Sequence, residues 1–199
     1  MTRWLLKTVA ADGAAHGGFV WPLEVGAEVT APDWSDAIEC GGGLHGLLDG
    51  RGNGTLLSWS PGAVWLVAEV PADARLVDLV GKVKVDRCVV AHVGDRLSAT
   101  GFLAEQGQVD GVVGAHVVAG DGGTATAGDG GAATAGYRGT ATAGYGGTAT
   151  AGDYGTIVLA WWDDELARHR WVAGDVGIDG IKADTPYRCE DGRLVEVES

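Results

Sequence analysis

The sequence predicts an all-β chain: an N-terminal β domain, a short flat β-solenoid, and an aromatic-rich C-terminal β cap. Three observations predict it. Residues 119–158 divide into five consecutive octads, AGDGGTAT, AGDGGAAT, AGYRGTAT, AGYGGTAT and AGDYGTIV. Glycine supplies 35 of the 199 residues and is periodic within the octads, which indicates repeated tight turns rather than disorder. The flanking segments carry short β-branched and aromatic runs separated by Gly/Asp loops. The expected divisions are residues 1–96 for the first domain, 97–158 for the solenoid and 159–199 for the cap.

In the first domain, Ala63 to Val70, Leu76 to Val80 and Cys88 to Val93 read as strands. Between the last two, Lys82-Val83-Lys84-Val85 alternates, which sets the lysines on one face and the valines on the other. Long helices are not evident. Pro32-Asp33 ahead of Trp34 to Cys40 predicts at most one short helix.

In the octads, side chains alternate faces with period two, and eight is even, so every unit repeats the same parity. Thr-Ala-Thr-Ala therefore presents both threonines on one face and both alanines on the other. Alanine suits a face pressed against another backbone, whereas β-branched threonine suits an exposed strand. Alanine is placed inside and threonine outside. Gly120, Gly128, Gly136, Gly144 and Gly152 are assigned to the corners, on the expectation that glycine there adopts positive φ.

One strand and one corner per octad make half a coil. The five octads then give about two and a half coils with two threonine faces. Thr124, Thr126, Thr140, Thr142 and Thr156 fall on one face; Thr134, Thr148 and Thr150 fall on the other, which Ala132 interrupts. Weaker copies at Leu103–Asp110 and Gly111–Val118 extend the solenoid toward residue 97.

The cap begins where Thr156 to Trp162 exchanges alanine for bulky residues. Arg168 to Val172 returns as a partner strand, and Asp191-Gly192 turns a closing hairpin. Trp161, Trp162 and Trp171 are the side chains expected to cover the open end of the solenoid, since an uncovered strand edge recruits other chains.

Two resemblances rest on these residues. Octads such as AGYRGTAT and AGYGGTAT resemble the octapeptide half of the bacterial ice-nucleation protein repeat, Ala-Gly-Tyr-Gly-Ser-Thr-x-Thr. The resemblance implies a β-solenoid whose Thr-x-Thr arrays order water. Tyr137 and Tyr145 lie in adjacent octads, on opposite corners, and so cannot stack on each other as tyrosines spaced by sixteen would. Gly18-Phe19-Val20-Trp21 through Glu24-Val25-Gly26, with Cys40 to Gly46, is similar to the N-terminal domain of an uncharacterised bacterial and phage family that often precedes such repeats. It implies no activity and transfers no catalytic residue.

Composition narrows the function classes. A formal charge of −13 repels phosphate backbones and anionic lipid, so neither nucleic acid nor a membrane surface is expected as a partner. No run approaches the roughly 18 apolar residues of a spanning helix. Three cysteines, Cys40, Cys88 and Cys189, are too few and odd in number for a disulfide framework. With no secretory leader evident, a cytoplasmic protein is expected.

No nucleophile elbow, phosphate loop or zinc-protease motif is present, and no cofactor is expected. Asp163-Asp164-Glu165 beside His169 reads as a solvated turn. Asp121, Asp129 and Asp153 invite a calcium reading, but the octad period and the tyrosines at 137 and 145 favour turn formation. Cys40, His45, Cys88 and His92 have the ligand types for zinc without a finger-like spacing, so buried structural cysteines are preferred. The expected function is a non-enzymatic scaffold that self-associates, through its exposed sheet ends, pairwise or into a filament. Two alternatives are ice binding through Thr124, Thr126, Thr140, Thr142, Thr148 and Thr150, and acidic mimicry of nucleic acid toward a basic partner.

Overall fold

The computed structural model describes residues 2–198, and these are nearly all β with a single α-helix. Contacts divide the chain into two compact units, the first ending at Gln108 and the second beginning at Val109. No helix among the described residues is long and apolar enough to cross a membrane.

The first unit holds β1 (Arg3–Val9), β2 (Glu28–Thr30), β3 (Leu44–Leu48), β4 (Val64–Val70), β5 (Leu76–Asp78), β6 (Val83–Val85), β7 (Arg87–Gly94) and α1 (Arg96–Glu105). The strands form one seven-stranded sheet in the order β2-β7-β4-β1-β3-β6-β5, with every pair antiparallel. Both faces of its centre are covered, so β4 is apolar nearly throughout rather than alternating. Leu5, Leu66, Val85, Cys88 and Val90 pack on one face. On the other, Phe102 of α1 meets Trp4 edge to face at 5.3 Å.

Three expectations change here. Residues 34–40 form bends and loop, not a helix, and this loop lies over Lys84. Lys84 is fully buried, donating through Nζ to the Glu39 and Gly41 carbonyls at 3.2 and 3.0 Å, so the predicted lysine face of β6 is not a solvated one. Residues 96–105 form the helix, capped by Asp95 Oδ1 accepting from the Ser98 N–H at 2.8 Å. The boundary expected near residue 97 therefore falls inside a helix of the first unit, and the repeat strands begin later.

The second unit contains β8 (His116–Ala119), β9 (Thr124–Ala127), β10 (Ala132–Ala135), β11 (Thr140–Ala143), β12 (Thr148–Ala151), β13 (Thr156–Asp163), β14 (Arg168–Asp175), β15 (Tyr187–Glu190) and β16 (Arg193–Glu196). Successive octads alternate between two sheets. One runs β8-β10-β12 and the other β9-β11-β13, each parallel and each in a register of sixteen residues: Ala133 faces Ala149, and Ala125 faces Ala141. Even parity keeps every Thr-Ala-Thr-Ala in phase across this step. The alanine faces of both sheets join one apolar cluster, with Ala125, Ala133, Ala141, Ala149 and their companions at 3% exposure or less.

The turns between strands show why glycine recurs. In each octad the fifth residue donates its N–H to the carbonyl of the second, as Gly147 does to Gly144 at 3.0 Å. The left-handed residue of this turn is the fourth: Gly122, Gly130, Arg138, Gly146 and Tyr154, with φ between 54° and 69°. Positive φ at the third residue of a turn, with the second residue at negative φ, is the type II pattern. The invariant glycines at positions two and five are needed for a different reason than expected. A Cβ on Gly144 would lie 2.6 Å from the Asp129 nitrogen, and one on Gly147 would lie 2.7 Å from the Gly131 carbonyl oxygen. From Gly128 onward they are fixed by the close approach of the preceding layer, not by φ; Gly120, in the first octad, has nothing within 4 Å of where its Cβ would lie.

Both parallel sheets end in antiparallel strands. β14 pairs along the whole of β13, and the β15–β16 hairpin docks on β12 through Ala149 opposite Tyr187. Asp191 and Gly192 both have positive φ, the two-residue turn whose twist suits a hairpin. Each alanine buries little, about 0.8 kcal/mol per methyl-sized group, so larger side chains complete the core at this end. Those side chains are Ile157, Leu159, Val176 and Tyr187, all 6% exposed or less. The tryptophans expected to do so lie elsewhere: Trp162 and Trp171 are 42% and 58% exposed, and Trp161 packs against Gly192. Parity explains Trp162, and Trp171 opposite Ala160, because Ile157 and Leu159 keep the inward positions of the octads before them; Trp161 shares their parity but lies beyond the length of an octad strand.

Candidate functional site

The threonines define the most regular outer surface of the second unit. In the β9-β11-β13 sheet, Thr124, Thr140 and Thr156 stand in register, and beside them Thr126, Thr142 and Val158. In the other sheet the rows are His116, Ala132 and Thr148, then Val118, Thr134 and Thr150. Consecutive outward residues of a strand are about 6.7 Å apart and neighbouring strands about 4.8 Å apart, so each face is a rectangular grid.

Thr156 Oγ1 donates to Asp175 Oδ1 at 2.8 Å, closing the first grid at the β14 side. Among the described residues, the hydroxyls of Thr124, Thr126, Thr140, Thr142, Thr148 and Thr150 have no protein partner. Thr124 is exposed and the other five are partly so. A hydroxyl whose protein neighbours are methyl groups and other hydroxyls satisfies its hydrogen bonds with water. The parallel ladders beneath hold these hydroxyls in register from strand to strand.

The turn residues frame the grid. Asp121 Oδ1 accepts from the Tyr137 N–H, and Asp129 Oδ1 from the Tyr145 N–H, each at 3.0 Å. These aspartates are thus joined to the next layer, a role that turn formation alone does not capture. Tyr137 meets the ring of Tyr154 edge to face at 5.7 Å, and Tyr145 lies 5.5 Å from the His169 ring.

The remaining sequence-based candidates disperse. Cys88 is buried in the first unit's core, where loss of solvation pushes its thiol up to about 12. His92 turns to the opposite face, against Phe102 and Ser98. Plain alternation along β7 would put Cys88 and His92 on one face, but the ladder shifts register between Val90 and His92, and this bulge reverses the alternation. Cys40 is exposed and accepts from Lys82 Nζ at 3.0 Å; that hydrogen bond draws its pKa below the ordinary thiol value. Among the described residues no group of three or more His, Cys, Asp or Glu side chains is placed to hold a metal ion.

Asp163 forms an ion pair with Arg170 at 2.9 Å and accepts from the Glu165 and Leu166 N–H groups. The Arg170 hydrogen bond, then the backbone donors, hold its carboxyl below the usual range. His169 instead meets the Trp162 ring edge to face, 5.1 Å away, so the acidic cluster and the histidine do not form a catalytic pair.

Comparison with known proteins returns one kind of relative. An ice nucleation protein of Pantoea ananas, InaU, is 36% identical over 119 residues, covering 59% of this chain and 11% of its own length. An ice nucleation protein of Pseudomonas syringae is 39% identical over 101 residues, 50% of this chain and 9% of its own. One from Xanthomonas campestris pv. translucens is 36% identical over 100 residues, 50% of this chain and 6% of its own. The chain therefore spans about a tenth or less of the curated relatives it matches. No family model and no solved structure matches it.

Proposed function

We propose that the octads close into a short β-solenoid and that its threonine faces order water into an ice-like lattice, making this chain an ice-binding module. The observation that carries this reading is the register of Thr124, Thr126, Thr140 and Thr142 with free hydroxyls on an alanine-backed sheet. Water held at such a grid loses most of its orientational freedom before freezing begins, so less order remains to be created at the ice front. Similarity to ice nucleation proteins supports the same reading. The grid is only a few strands deep, so efficient nucleation would require several copies side by side.

The test is droplet freezing and ice-crystal shaping with the purified chain and a variant carrying Thr140→Lys, Thr142→Lys, Thr148→Lys and Thr150→Lys. Shaped crystals or freezing above buffer alone, both lost in a variant of unchanged circular dichroism, is the expected result. An unmutated chain with neither effect overturns the reading.

A second reading is self-assembly into a scaffold, and the C-terminal edge favours it. β14 leaves one side of its sheet unpaired among the described strands, and Trp171 on that strand is 58% exposed. Exposed edges of this kind recruit further strands. Light scattering over a concentration series should then show oligomers that Trp171→Lys reduces; a monomer at all concentrations rules it out.

A further inference from the structure

Strand β1 carries an anomaly in the first unit. Alternation places Leu5, Lys7 and Val9 on one face, and Leu5 and Val9 belong to the core, at 0% and 3% exposure. Lys7 stands directly opposite Leu66, itself 1% exposed. A cation thus occupies a core row. Its Nζ lies 5.6 Å from the centroid of Trp21, and among the described residues it has neither a hydrogen bond nor an ion pair. Burial, reinforced by the nearby charge of Lys82, draws its pKa down to about 8.

A partly buried ammonium with no counter-charge is costly, and a chain with 27 acidic residues had many ways to pair it. Lys7 opens instead into a cavity of about 630 Å³. The walls include Phe19, Trp21, Leu44 and Leu57, with Lys82 also on the rim. Asp33, the one acidic residue on the wall, pairs with neither lysine. Lys82 is occupied by Cys40 Sγ at 3.0 Å, which leaves Lys7 as the free charge. Volume and character both match sites for small organic ligands, which are mostly apolar with a few placed polar groups.

We propose that this cavity binds a small organic anion, a carboxylate or sulfonate on an aromatic or branched apolar body, with Lys7 as its counter-charge. The apolar body lies against Phe19 and Trp21, and the acid group reaches Lys7 Nζ. A neutral ligand of the same shape leaves the ammonium unpaired and binds less well.

The test compares two fluorescent probes of similar shape, anionic 8-anilinonaphthalene-1-sulfonate and neutral N-phenyl-1-naphthylamine, on the full chain and on Lys7→Met. The full chain should bind one sulfonate probe per molecule, at least about tenfold more tightly than the neutral one, a difference of about 1.4 kcal/mol. In Lys7→Met the preference should fall below about threefold while neutral binding persists. Equal affinity of the two probes for the unmutated chain, or an undiminished preference in Lys7→Met, overturns the proposal. Should that variant not fold, competition on the unmutated chain decides: 1-naphthoate should displace the sulfonate probe, and 1-naphthamide displacing it equally well overturns the proposal too.

Discussion

Asp129 Oδ1 accepts the backbone N–H of Tyr145, sixteen residues on, at 3.0 Å, and so ties one layer of the repeat to the next. Tyr137 and Tyr145, at the same octad position as Asp121 and Asp129, have no carboxylate to offer the layer above them. The bond is local, but it sits where the parallel ladder bends and a register slip would begin. Asp129→Ala should cost about 1 kcal/mol by urea unfolding, because water reaches the exposed N–H only in part. Asp129→Asn keeps an acceptor and should cost less than half of that.

The two classes of octad glycine should separate in the same measurement. Gly144→Ala drives a Cβ to within 2.6 Å of the Asp129 nitrogen, so the layers must part, at about 3 kcal/mol. Gly146→Ala meets nothing within 4 Å and suffers only its φ of +69°, about 1 kcal/mol. A larger loss for Gly146→Ala would contradict the close-approach account.

Deletions should obey parity. Removing residues 127–142 takes away a sixteen-residue step and returns β13 to its own sheet, above β9. Cooperative unfolding should survive with a midpoint several degrees lower. Removing only residues 135–142 exchanges the two sheets, seating β12 over β9 and β13 over β10, while β14 and the β15–β16 hairpin keep their partners β13 and β12. Because an octad preserves parity, that shorter deletion should also leave a cooperative transition by calorimetry; its loss would contradict the octad as the unit of the fold.

Alkaline pH should reveal Lys7 and Cys88 as opposing terms. The folded pKa of Lys7 is lowered to about 8, so from about pH 8 to 10.5 the unfolded chain binds more protons and stability rises. The folded pKa of Cys88 is raised to about 12, so from about pH 9 upward the unfolded chain binds fewer protons and stability falls. Their sum rises by on the order of 1 kcal/mol from about pH 8 to 9, after allowance for solvent screening, and is then level to about pH 10.5, where the two slopes cancel. In urea midpoints taken from pH 7 to 10.5, Lys7→Met should lose the rise and fall from about pH 9, whereas Cys88→Ala should keep rising to about pH 10.5.

If the threonine faces order ice, activity should grow with area. Inserting further copies of residues 127–142 lengthens both grids, and each copy should raise the median droplet-freezing temperature. Copies with both strands' threonines changed to lysine should add stability without raising it.

The repeat was readable because it is governed by parity and spacing, which a linear sequence displays directly. The inward alanines, the outward threonines and the Asp191-Gly192 hairpin all follow from alternation and turn chemistry. What escaped depends on distant neighbours. Lys84 alternates like a surface residue, and only the fold brings residues 34–43 across it. The bulge that separates Cys88 from His92 leaves no mark on a run of alternating residues. Gly144 was assigned to a corner for the sake of positive φ, yet the constraint on it comes from the layer beneath. Helix α1 had one readable signal, Asp95 three residues ahead of Ser98, but Gly101 in its middle obscured it.

The variable fourth position of the octad has a use in engineering. Its backbone points outward at each corner, and the chain already accommodates Arg138 and Tyr154 there despite positive φ. Residues 122, 138 and 154 run down one rim, 130 and 146 down the other, at an interval of about 4.8 Å. Chromophores or redox labels attached along such a rail would sit at near-stacking pitch, with their spacing set by the protein rather than by a linker.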